Sequence, residues 1–83
     1  MKEDQSGGET GITGHYRVDE PMRNHSEGFS KALENALEEA EKQGVIKRGG
    51  EYDSDVQYSI GINFTNPPWV GDYRVWINPR ERP

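Results

Sequence analysis

The side chains of this sequence that can do chemistry are few. Two histidines, His15 and His25, stand ten positions apart in a chain without cysteine. Neither has a partner at metal-ligand spacing, and no thiolate is available, so no metal site is expected. The acids of "ENALEEAEK" fall mostly on the outer face of a helix. They read as a solvated surface rather than a calcium site or a catalytic pair. No serine or histidine occupies a nucleophile motif, and the pairs Gly7-Gly8 and Gly49-Gly50 lack the strand and helix that flank a phosphate loop. The sequence therefore predicts a protein that is not an enzyme, with no catalytic residues. Recognition chemistry is better represented. Trp76 offers a flat ring, Gln57 and Arg74 offer polar contacts, and Ser59 and Asn63 share their alternation. Gln57, Ser59, Asn63, Arg74 and Trp76 form the candidate ligand- or partner-binding set.

Those residues need a scaffold, and the alternation of residue types supplies one. In "DVQYSIGINF", Val56, Tyr58, Ile60, Ile62 and Phe64 share one parity while Gln57, Ser59, Gly61 and Asn63 share the other. That is the period of a strand with one buried face. "TNPPWVGD" interrupts it, because two prolines cannot continue a ladder. "YRVWIN" resumes it until Pro79. In "NHSEGFSKALENALEEAEKQG", Phe29, Ala32, Leu33, Ala36, Leu37 and Ala40 recur as one helical stripe. Asn24 or Ser26 caps its start and Gly44 its end, which predicts a helix over 26–43. "ITGHYRVDEP" reads as a first strand over 14–19. The predicted fold is α+β, in the order β-α-β-β. One helix lies on one face of a small antiparallel three-stranded sheet, and the helix stripe covers the apolar residues of both C-terminal strands. Residues 1–11 read as a disordered tail, 12–79 as the single domain, and 80–83 as a frayed end. The first strand lies beside either the middle or the last strand.

Composition narrows the partners. The chain has 83 residues, of which 30% are hydrophobic and 30% charged, with a net charge of −5. One small core is the most it can build, and self-association is one way to complete it. The acidic balance argues against nucleic acid, which requires a positive face, and against an anionic membrane surface. No apolar run approaches a membrane span and the N-terminus lacks a signal-peptide core, so the expected location is cytoplasmic.

Trp76 sits between Arg74 and Asn78 on the parity opposite to Tyr73, Val75 and Ile77, where a small domain normally meets water. A hairpin centred between Pro68 and Trp69 pairs Phe64 with Tyr73, Ile62 with Val75 and Ile60 with Ile77. It also sets Gly61 opposite Trp76, whose indole would cover the glycine backbone. A tryptophan lying on glycine makes a flat platform, so structural cover and partner surface are compatible readings. Trp69, in the hairpin loop, is expected to plug the end of the core.

"HYRVDEPMRNHSEGFSKALENALEEAEK" resembles the front half of dodecins, small proteins with a β-α-β-β chain. Tyr16, Val18, Glu20, Ser26, Ala32, Asn35 and Ala40 fall near the positions that family would give them, and "VQYSIGINF" resembles its final strand. The resemblance implies homo-oligomers assembled through uncovered sheet faces. It also implies flavin as a cofactor, stacked on a strand tryptophan, with Gln57 near the flavin-contacting glutamine. Two functions are then open. One is a dodecin-like binding domain that self-associates through its uncovered sheet face and takes a planar small molecule. The other is a protein-interaction module, an accessory or regulatory subunit, using the same face or an edge strand.

Overall fold

The computed structural model describes residues 11–83. The expected tail lies almost entirely outside them. Strand β1 (Ile12–Arg17) leads to helix α1 (His25–Lys42), followed by the long strands β2 (Tyr52–Asn63) and β3 (Trp69–Glu81). The three strands form one antiparallel sheet in the order β1-β3-β2, so the first strand lies beside the last, and the last is central. The α+β fold with β-α-β-β order is as the alternation predicts.

The local signals end the helix where they should. The Asn24 side chain accepts from the Ser26 backbone N–H at 3.0 Å, and Gly44 adopts φ 77° just beyond the last turn. The core is thin: Ile12, Ala32, Ala36, Ala40, Tyr73, Val75 and Ile77. The helix presents its smallest residues to the sheet and comes down until backbone meets backbone. A Cβ added to Gly14 would stand 2.2 Å from the Ala32 carbonyl oxygen and 2.3 Å from the Ala36 nitrogen. The Tyr73 ring lies under Gly28, where an added Cβ would meet three of its carbons at 2.7 Å.

This seating corrects one expectation. The helix stripe does not cover both C-terminal strands; α1 rides over β1 and β3. Its larger residues Phe29, Leu33 and Leu37 stand on the flank toward β2 and only partly reach it. Phe29 meets Tyr58 edge-on, with ring centroids 5.0 Å apart. Val56, Tyr58, Ile60 and Ile62 keep 41, 58, 39 and 59% of their surface exposed, although they share a face with the buried residues of β3. A helix drawn down onto Gly14 is centred too far toward β1 to shade the third strand.

The hairpin register also differs from the expected one. Ile60 pairs with Tyr73, Tyr58 with Val75 and Val56 with Ile77, and Gly61 faces Asp72 rather than Trp76. The displacement is by an even number of residues, so the apolar set stays on one face. Two features accompany it. Near the loop an irregularity beside Gly61 and Ile62 skips Gly71, which pairs Ile62 with Val70 and Asn63 with Trp69. At the far end β3 does not stop at Pro79. It runs to Glu81 against a β2 that begins at Tyr52, and the Arg82 N–H donates to the Glu51 carbonyl at 3.1 Å. Pro79 is accommodated because β1 ends at Ile12, opposite Ile77, so that among the described residues the proline's missing N–H falls where β3 is paired with β2 alone. Residues 80 and 81 belong to the strand.

Candidate functional site

The sheet face away from α1 carries Thr13, His15 and Arg17 from β1, Asp72, Arg74, Trp76 and Asn78 from β3, and Gln57, Ser59 and Gly61 from β2. The predicted set divides on it. Gln57 faces Trp76 directly, and Ser59 faces Arg74, whose Nε donates to the Ser59 hydroxyl at 2.9 Å. These four make one continuous block. Asn63 lies beyond the strand irregularity, opposite Trp69, and is not brought into it. Trp69 opens β3 and pairs in the sheet rather than lying in the loop.

Trp76 is half-buried, and its cover is not Gly61. A Cβ added to Gly11 would fall 1.8 Å from the indole Nε1 and 2.1 Å from Cε2. The ring shields the backbone of a glycine at the entrance to β1. The device is the one foreseen, a tryptophan lying on glycine, with a different glycine. Its register partners on the two flanking strands are Thr13 and Gln57.

Toward the loop end of the central strand stands Asp72, whose side chain is 16% exposed and surrounded by bases. Its Oδ2 is 3.2 Å from Arg74 Nη1, and its Oδ1 is 3.7 Å from His15 Nδ1 and 3.8 Å from Arg17 Nε. Oδ1 is buried without a hydrogen bond. Arg74 uses three of its five N–H donors within the protein: Nε on Ser59, Nη1 on Asp72, and Nη2 on the Ile60 carbonyl at 3.0 Å. It fastens β2 to β3 across the open face. Arg17, with 76% of its side chain exposed, is the base with freedom to reach outward. His15, Arg17 and Asp72 were not among the predicted residues. Their shared parity was visible in the strings "GHYR" and "GDYR", but joining them required the position of β1 beside β3. Among the described residues no group of three or more His, Cys, Asp or Glu is arranged to hold a metal ion.

The second candidate surface lies on the helix side. Val56, Tyr58, Ile60 and Ile62 line it along β2, with Phe64 89% exposed at its end and Leu37 41% exposed on the helix flank. Phe29, Leu33 and Tyr58 border a shallow recess between helix and strand. No strand pairs with the outer side of β2 among the described residues, so the apolar row borders a free edge. No described helix is long and apolar enough to cross a membrane. Comparison with protein-family models, with curated proteins and with solved structures gave no match.

Proposed function

We propose that this chain is a protein-interaction module that docks through β2, using its free edge and the apolar row beside it. One observation carries the reading: four large apolar side chains of β2 remain 39–59% exposed on the very face where the domain has its core. Exposed apolar patches of this kind mark association surfaces in small soluble domains. The row adds little to the fold itself, because the helix reaches over it only in part, Phe29 meeting the outer Tyr58 ring edge-on. Replacing Tyr58 and Ile62 together with lysine is therefore expected to act as a surface change, within about 0.5 kcal/mol per site. For a domain of this size that is a shift in Tm of less than about 8 °C for the pair. Retention on a phenyl matrix should fall sharply in the same variant. A loss of stability on the scale of a core truncation, or unchanged retention, overturns the reading.

A dodecin-like role in binding a planar small molecule is the second reading, supported by the half-exposed Trp76 with Gln57 opposite. Stacking of an isoalloxazine on that ring would quench its emission. Titration with riboflavin or FMN is expected to quench the parent and to quench Trp76→Phe markedly less. Equal quenching of both, or none at large excess, removes the flavin.

A further inference from the structure

The two edges of the sheet are built differently. β1 is short, carries His15 and Arg17 on its open face, and has its His15 carbonyl taken by the Asn35 side chain at 2.6 Å. Charged residues, short length and cover are the usual devices that stop an edge from pairing with another chain. β2 is less protected: residues 56–63 carry no charge, and its cover at the centre is the Arg74 guanidinium, whose Nη2 donates to the Ile60 carbonyl at 3.0 Å and gives way when a strand adds there. The strand spans twelve residues, and residues 56–71 form sixteen consecutive positions without a charge in a chain that is 30% charged. There is no proline in the strand, and β2 meets its irregularity only at Gly61 and Ile62.

We infer that a second copy of this chain occupies the β2 edge, pairing antiparallel about Ser59 to give a continuous six-stranded sheet; this rests on the docking reading above. The charge distribution selects the occupant and the direction. The acids of β2, Asp53 and Asp55, lie at one end. An antiparallel copy centred on Ser59 sets Asp55 against Asn63 and Asp53 against Thr65, so no like charges meet. Parallel pairing in register would stack the acids on themselves. The same centre brings Val56 beside Ile62 and Tyr58 beside Ile60 of the second copy. The two apolar rows become one patch on the floor of a groove between the two helices. The chain's own N-terminus cannot serve instead, since residues 1–10 contain no apolar side chain but Met1. The contact is isologous and closes as a dimer, because the remaining β1 edges are guarded.

The absence of cysteine makes the register measurable. In the full chain, light scattering at rising concentration is expected to approach twice the 9.4 kDa of one chain. Under mild oxidation Ser59→Cys should give a covalent dimer, since the two Ser59 positions face each other at a distance a disulfide spans. Gln57→Cys should not, because residue 57 faces 61 of the second copy. Circular dichroism checks that both variants fold. A monomeric mass at every concentration, open-ended aggregates, or faster cross-linking through residue 57 than through 59 overturns the inference. If the parent is monomeric while the Tyr58/Ile62 lysine variant keeps its stability and loses retention, this inference falls and the docking reading stands. If that variant melts early, both fall.

Discussion

Gly14→Val should come close to unfolding the protein. The first side-chain carbon at position 14 would enter the space of the Ala32 carbonyl and the Ala36 backbone, at 2.2–2.8 Å. These are main-chain atoms of a hydrogen-bonded helix, so no rotamer change relieves the clash. The helix must lift or slide, and with it go the contacts of Ala32, Ala36 and Ala40. Overpacking a close-packed interior costs about 1–3 kcal/mol where side chains can give way, and more where they cannot. A domain of this length holds on the order of 4–12 kcal/mol in all. Urea unfolding is expected to show a loss of about 3 kcal/mol or more for Gly14→Val, with Gly14→Ala intermediate. Trimming Ala36 to glycine should give no rescue, since the obstacle is backbone. A Gly14→Val protein as stable as the parent would mean that α1 is not seated on β1 at this point.

The second large effect belongs to Tyr73. Its side chain is wholly buried under Gly28, meets Phe29 edge-on at 5.2 Å, and ends in a 2.6 Å hydrogen bond with His25 Nδ1. Tyr73→Ala is expected to cost about 3–5 kcal/mol, the usual loss for a buried aromatic. Tyr73→Phe keeps the ring and gives up the bond, for about 1 kcal/mol. Burial also raises the phenol's pKa above its ordinary 10.0, because the core disfavours the phenolate. The sign follows directly. The folded state holds its proton more tightly than the unfolded chain, so this contribution is complete below the unfolded pKa. It is lost as pH rises from about 10 through the raised folded value. The parent's urea midpoint should fall over that alkaline range more steeply than that of Tyr73→Phe. Parallel alkaline curves for the two proteins would place the phenol in water.

What could be read without coordinates, and what could not, divides along local and non-local physics. The helix from the capping Asn24 to Gly44, and the alternation of Val56 to Ile62 and Tyr73 to Ile77, depend on neighbours in sequence, and the elements stand where those neighbours put them. The pairing of β2 with β3 depends on how many residues the turn consumes and on where a bulge falls. Neither Gly71's omission from the ladder nor the passage through Pro79 has a local signature strong enough to fix it. Alternation is indifferent to an even displacement, so the right faces were legible with the wrong partners, and Trp76 was matched with Gly61 instead of Gly11. The cluster at Asp72 needed the strand order. The reach of the helix was the least legible feature. A glycine in β1 sets it, and a stripe of alanines shows only that close approach is possible.

The strand order has a consequence for how the chain matures. β1 and α1 are made before β2 and β3, yet among the described residues the strand to which β1 is hydrogen-bonded is β3, the last of the three. During synthesis the front of the protein waits for its tail: neither outer strand has a neighbour until the middle one leaves the ribosome. Clipping the chain before Trp69 would not trim an edge; it would remove the keystone and leave two strands with nothing between them.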